Sequence, residues 1–144
     1  MAPQNNSKQV GVKTMEEPKK VVIIGGVACG PKTAARLRRL DPHAEITMVD
    51  KGNVLSYGAC GMPYYVSGDV DRVDALLETP VGVKRDAGFF KKVKGFEALT
   101  ETEATKIDRE RKIVETKHAV TGEKRSLSYD KLVLASGASP FVPR

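Results

Sequence analysis

The most regular hydrophobic pattern of the chain begins with four β-branched apolar residues, Val21 to Ile24, with no polar residue among them. Such a run predicts a parallel strand that is covered on both faces. Glycines follow directly, and apolar residues then recur three or four positions apart at Ala34, Leu37 and either Ala35 or Leu40. The spacing predicts an amphipathic helix, which the sequence Asp-Pro at 41–42 ends. A strand that turns through glycines into a helix is typical of an anion-binding unit.

A second strand, with the sequence EITMV, ends at Asp50, which follows Gly30 by 20 residues. That spacing suits an acid that hydrogen-bonds a ribose hydroxyl of a dinucleotide. Val27 stands where the pattern G-x-G-x-x-G has its second glycine, so we expect Gly26 to make the close approach to the phosphates. A βαβ unit without a ligand is the alternative interpretation of the same residues.

The remaining pattern predicts a loop, a helix, a β-meander and a last strand. Glycines and tyrosines after Asp50 predict a loop with a short helical turn. Thr79 and Pro80 are typical of a helix start, with Thr79 as the cap and Pro80 early in the first turn. We expect an amphipathic helix over 83–93 that ends at Gly95. Alternating residues from Glu103 predict a meander with breaks at 108–109 and 121–122, followed by a buried strand over 131–136.

Length and composition limit the class of protein. The 144 residues suffice for one domain with a core, and 40% of them are hydrophobic. We expect residues 1–19 to form a disordered leader, with Met15 as an alternative start. The net charge of +6 favours anionic partners, but without an aromatic and basic stripe it does not favour nucleic acid. No run approaches the roughly 20 apolar residues that cross a membrane.

Two cysteines are the residues with thiol chemistry. Their spacing suits neither a disulfide scaffold nor a metal site, so we expect a reducing, cytoplasmic location. Cys60 precedes a predicted helical turn, where a thiolate is favoured, and it has no second cysteine at C-x-x-C spacing. Any disulfide it forms would be with a small molecule or would pass through a sulfenic acid. A buried packing role is the alternative. We expect Cys29 to be a packing thiol.

Four segments in this order resemble one family. VVIIGGVACG, RLRRLDPHAEITMVDK, SYGACGMPYYVSGD and YDKLVLASGASPFVPR are similar to the first FAD-binding segment of the pyridine nucleotide-disulfide oxidoreductases. The resemblance is to the branch with a single redox cysteine, which includes coenzyme A-disulfide reductases, NADH oxidases and peroxidases, and persulfide or polysulfide reductases. It implies an α/β, Rossmann-like FAD/NAD(P)-binding fold with a parallel sheet and an inserted β-meander.

The resemblance also implies roles for individual residues. Cys60 would be the catalytic redox cysteine, facing the isoalloxazine of FAD and passing electrons to a disulfide, persulfide or peroxide. Contacts to the coenzyme A part of a substrate would come from Arg39 and Ser56. Cofactor contacts would come from Gly25, Gly26, Val27, Ala28 and Gly30 at the pyrophosphate, Asp50 and Lys51 at the ribose, and Ala135, Ser136 and Gly137 near the flavin.

Departures from the family pattern leave the substrate and the activity open. Ala59 replaces the asparagine that precedes the cysteine in coenzyme A-disulfide reductases, and Lys32 and Arg36 occupy two further coenzyme A positions. These departures favour persulfide or polysulfide reduction. Family enzymes have several hundred residues, including a domain for NAD(P)H and one for dimerisation, so residues 20–144 would be a partial FAD-binding domain. The alternatives are a non-catalytic FAD- or nucleotide-binding module that needs a partner chain or a homodimer, and a single-domain NAD-binding protein.

Overall fold

The computed structural model describes residues 17–139 and 141–143, so most of the predicted leader, including Met15, lies outside the described residues. Within that part no helix combines the length and apolar character needed to span a membrane. The helices are α1 (Cys29–Leu40), α2 (Met62–Ser67) and α3 (Ala87–Phe89), which continues as a π-helical turn over Phe90–Lys94. The strands are β1 (Lys20–Ile24), β2 (Glu45–Val49), β3 (Glu97–Leu99), β4 (Thr102–Asp108), β5 (Ile113–His118), β6 (Lys124–Ser128) and β7 (Lys131–Leu134).

A four-stranded parallel sheet in the order β3-β2-β1-β7 forms the centre of the fold. Val21 pairs with Ile46 of β2 on one side and with Lys131 of β7 on the other. The predicted α/β fold with a parallel sheet is therefore confirmed. Strand β3 was not predicted, because three residues are too few to show a period.

One face of this sheet is covered by α1 and by the turn after α3. Ala34 is fully buried against Ile23 and Met48, and Phe90 from the π-helical turn joins the same core. The helix period left a choice between Ala35 and Leu40 for the buried face. In the structure Ala35 is partly buried and packs against the core, whereas Leu40 is 66% exposed.

The predicted meander covers the opposite face. Strands β4, β5 and β6 form an antiparallel sheet in that order, with turns at the two predicted breaks. Strand β4 contacts β2 and β6 contacts β1, and the inward residues Val114 and Thr116 are almost completely buried. The parallel sheet is thus sandwiched between a helical layer and an antiparallel layer.

Two predictions about the helices and strands are wrong. The helix expected over 83–93 begins only after Asp86, whose carboxylate accepts the Phe89 N–H at 2.8 Å, although Gly95 ends it as predicted. Residues before it form a turn instead, closed by a bridge between Glu78 and Lys84. The last strand is not buried, because β7 has only β1 as a neighbour among the described strands and Leu134 is 65% exposed.

Candidate functional site

The carboxyl ends of the parallel strands meet at one edge of the sheet. There the Gly25 N–H donates to Val49 O at 2.8 Å, and the Ala135 N–H donates to Ile24 O at 2.7 Å. The ends of β1, β2 and β7 are thus held side by side by backbone hydrogen bonds. This edge is where α/β sheets bind ligands, so the predicted cofactor residues at 25–30, 50–51 and 135–137 lie along the expected side.

The glycine turn allows no side chain at two of its positions. Gly25 has φ +113°, and a Cβ there would meet the carbonyl oxygen of Ala135. A Cβ on Gly30 would meet the carbonyl oxygen of Gly25. The two glycines therefore let the turn lie directly against the end of β7 and against the first turn of α1.

Asp50 holds this turn through its carboxylate. Oδ2 accepts the Gly26 N–H at 2.6 Å, and Oδ1 accepts the Gly52 N–H at 2.7 Å. Leu55, which is 3% exposed, closes the space over the Gly26 Cα, since a Cβ there would lie 2.6 Å from Leu55 Cδ2. The Gly26 N–H therefore donates to Asp50, and the close approach of Gly26 to the phosphates stays a prediction.

The N-terminus of α1 presents its first amides without a side-chain cap. Ala28 precedes the helix and has no side-chain oxygen with which to cap it, and the first turn contains no acidic residue. Uncapped amides and the helix dipole together suit an anion. Cys29, in the same turn, is exposed, with its Sγ 3.9 Å from Thr33 Oγ1. The prediction that Cys29 is a packing thiol is therefore wrong.

Cys60 lies in the middle of a 3₁₀ turn, Ala59–Gly61, that leads into α2. Its thiol is free and exposed, which excludes the buried packing role. The segment is joined to the glycine turn upstream, where the Ser56 N–H donates to Gly26 O at 2.8 Å. Ser56 has φ +48°, a conformation that non-glycine residues rarely adopt.

Most of the other predicted site residues lie at the carboxyl edge of the parallel sheet, and Arg39 lies away from it. Lys51, Ser136 and Gly137 are exposed at the carboxyl edge. Arg39 is also exposed, but it lies in the last turn of α1, about 15 Å along the helix from Cys29. Sequence reasoning missed Leu55, because a single buried leucine in a loop has no periodic pattern to reveal it.

The resolved pKa shifts lie away from this edge, in the meander. The Arg111 N–H and guanidinium beside Asp108 hold the pKa of that carboxyl below its usual value. The Arg125 guanidinium lowers the pKa of Glu123 in the same way. Both are surface pairs close in sequence, and they lie outside the candidate site.

Together, a glycine turn between β1 and α1, an acid at the end of β2 and a meander on the opposite face define a dinucleotide-binding α/β domain. Comparison with known families agrees. The family model described as pyridine nucleotide-disulphide oxidoreductase matches residues 19–144, and the chain belongs to that family.

Individual relatives show which activities occur among similar proteins. The chain is 36% identical to a coenzyme A disulfide reductase of Staphylococcus haemolyticus over 121 residues, which are 83% of this chain and 26% of that protein. It is 51% identical to a NAD-dependent persulfide reductase from A. fulgidus, with a TM-score of 0.82 over 86% of this chain and 23% of that one. The Bacillus anthracis CoADR-RHD structure is 36% identical, with a TM-score of 0.79 over 88% and 22%. The chain therefore spans about a quarter of the length of these relatives.

Proposed function

We propose that this chain is the FAD-binding part of an NAD(P)H-dependent disulfide or persulfide reductase, with Cys60 as its single redox cysteine. One observation carries the proposal: the exposed Cys60 segment is hydrogen-bonded, through Ser56, to the same glycine turn that Asp50 holds. A cofactor bound along this edge would therefore lie on the element to which the cysteine segment is attached.

The residues at the edge suit FAD. Amides of residues 27–30 would bind the pyrophosphate, because the Gly26 amide is engaged by Asp50. Each Asp50 oxygen accepts one backbone N–H and retains a lone pair for a ribose hydroxyl beside Lys51. Bound FAD would supply two electrons, taken from NAD(P)H, for the reduction of sulfur. The end of β7, at Ala135, Ser136 and Gly137, would lie near the flavin.

Cys60 would act as the nucleophile on an R–S–S–R′ substrate. Its thiolate would attack one sulfur, forming a Cys60–S–S–R bond as R′–S⁻ leaves. Two electrons and one proton then break that bond, release R–SH and restore the Cys60 thiolate. For a persulfide, R′ is hydrogen. The similarity to the A. fulgidus persulfide reductase and the presence of Ala59 favour a persulfide or polysulfide. Arg39 and Ser56 would contact the coenzyme A part of a coenzyme A-type substrate.

The alternative is a nucleotide-binding module whose catalysis needs a partner chain or a second copy. It is favoured by the length of the match, which covers about a quarter of each relative. The described residues contain one glycine turn of the dinucleotide-binding type, so we propose that NAD(P)H binds elsewhere in the complete enzyme. Mixing this chain with FAD and NADH alone would then give no turnover, and adding the completing chain would restore it.

Mass spectrometry of adducts tests the role of Cys60. The reduced chain is mixed with coenzyme A disulfide or with glutathione persulfide, and adducts on Cys60 and Cys29 are quantified over time. We expect the Cys60 adduct to form at least about tenfold faster than the Cys29 adduct, and to be absent in Cys60→Ser. Equal labelling of the two exposed thiols, or labelling of Cys29 alone, would contradict the proposed role.

A further inference from the structure

The turn that carries Cys60 rests on Leu76, in the 3₁₀ segment Val73–Leu77. The Gly58 N–H donates to Leu76 O at 2.7 Å. The Leu76 side chain is 9% exposed, and a Cβ added to Gly61 would lie 2.5 Å from its Cδ2. The backbone before Cys60 is therefore fixed by the Leu76 carbonyl, and the backbone after it by the Leu76 side chain.

Arg85 in turn holds Leu76. Its Nη2 donates to Leu76 O at 3.1 Å, its Nε donates to Leu77 O at 3.4 Å, and its backbone N–H donates to Leu77 O at 3.0 Å. The Leu76 carbonyl thus accepts from Gly58 and from the guanidinium at once. Because bonds of 2.7 Å and 3.1 Å share this oxygen, Nη2 lies less than about 6 Å from the Gly58 nitrogen.

Arg85 forms no ion pair within 4.0 Å of a carboxylate among the described residues. Two acids lie near it in sequence, and each makes a contact with another residue. Glu78 pairs with Arg72 at 3.6 Å, and Asp86 accepts the Phe89 N–H. In the part of the chain that the structure describes, the half-buried guanidinium donates to backbone carbonyls and forms no ion pair.

We propose that Arg85 is a positioning residue for the Cys60 turn, and that its guanidinium keeps a positive charge beside this turn that favours anionic disulfides and persulfides. The inference rests on the proposed function, in which Cys60 reacts with such substrates. Arg85 acts through the Leu76 carbonyl, because the planar guanidinium can bond two successive carbonyls in a fixed geometry. The guanidinium lies within one Debye length, about 8 Å at physiological salt, of the Gly58 nitrogen in this turn.

Two thiol reagents of similar size separate the charge from the intrinsic reactivity of the thiol. Iodoacetate is an anion and iodoacetamide is neutral, so the ratio of their rates at Cys60 cancels the amount of thiolate. We expect Arg85→Met to lower this ratio about threefold and Arg85→Lys to preserve it. The matched control is Arg38→Met, since Arg38 also bridges two carbonyls, Gly95 O at 2.9 Å and Pro42 O at 2.6 Å, at the opposite edge of the sheet.

Amide exchange measured by NMR tests the positioning role in the same variants. Arg85→Met should accelerate exchange of the Gly58 amide about tenfold, with partial protection restored by Arg85→Lys and no change in Arg38→Met. If Arg85→Met does not fold, Arg85→Lys alone remains decisive: it should keep the reagent ratio and lose part of the Gly58 protection.

A reagent ratio and a Gly58 exchange rate that stay at wild-type values in Arg85→Met would overturn the proposal, as would equal effects in Arg38→Met. In Arg85→Lys, a lowered ratio or an unchanged Gly58 exchange rate would do the same. These measurements need neither flavin nor disulfide. Their failure is therefore distinguishable from failure of the proposed function, which the adduct experiment tests.

Discussion

The glycine turn and the Cys60 segment lie side by side, yet they are built in opposite ways. In the turn, Gly26 is buried and its N–H and C=O are both hydrogen-bonded. Asp50 holds the Gly26 amide with Oδ2 and the Gly52 amide of the following loop with Oδ1. The segment from Cys60 to Val66 is exposed, with Val66 at 82% and Tyr64 at 59%. We therefore expect the scaffold of this site to tolerate little change and its reactive residue to contribute little to stability.

The largest effect should come from adding one methyl group to the turn. Gly25→Ala places a Cβ against the Ala135 carbonyl in a residue with φ +113°, and we expect a loss of more than about 3 kcal/mol in the free energy of unfolding. Gly122→Ala is the control, because Gly122 also has positive φ but has nothing within 4 Å of the added Cβ. It should cost about 1 kcal/mol. Urea denaturation followed by circular dichroism measures both values. Equal losses would show that the close contact between Gly25 and the Ala135 carbonyl does not add to the cost of the substitution.

An intermediate effect is expected at Asp50. Asp50→Asn keeps one acceptor oxygen, so either the Gly26 or the Gly52 amide loses its partner, at a cost of about 1–3 kcal/mol. Asp41 is the matched control, because its Oδ1 alone accepts both the His43 and Ala44 amides. Asp41→Asn can retain that oxygen and should change stability by less than about 0.5 kcal/mol. Equal losses in the same urea assay would show that the two-oxygen arrangement of Asp50 is unimportant.

The smallest effect should come from the reactive residue itself. Cys60 is exposed and packs against no core residue, so Cys60→Ser should change the free energy of unfolding by less than about 0.5 kcal/mol. The same denaturation assay checks this value. A loss above about 1 kcal/mol would mean that Cys60 supports the fold, and it would contradict the claim that the scaffold and the reactive segment have separate roles.

Much of the fold was predictable because β1 contains an uninterrupted run of β-branched residues and α1 and the meander carry a complete period. Each of them ends at glycine, proline or aspartate. The helix after Thr79 was misplaced because a Thr-Pro pair also suits a turn, and the bridge between Glu78 and Lys84 selects the turn. The exposure of β7 depends on how many strands pair with it, and the number of neighbouring strands cannot be predicted from the residues of β7 alone. At the site, Asp50 followed from its spacing to Gly30. The support from Leu76 and Arg85 did not, since those contacts join segments far apart in sequence.

The visible absorption spectrum of the purified chain, recorded with protein concentration measured alongside, shows directly whether this edge of the sheet binds FAD. We expect flavin bands at close to one FAD per chain, either as purified or after FAD is added and excess is removed. A folded, colourless chain that takes up no added FAD would contradict the claim that this edge of the sheet binds the cofactor.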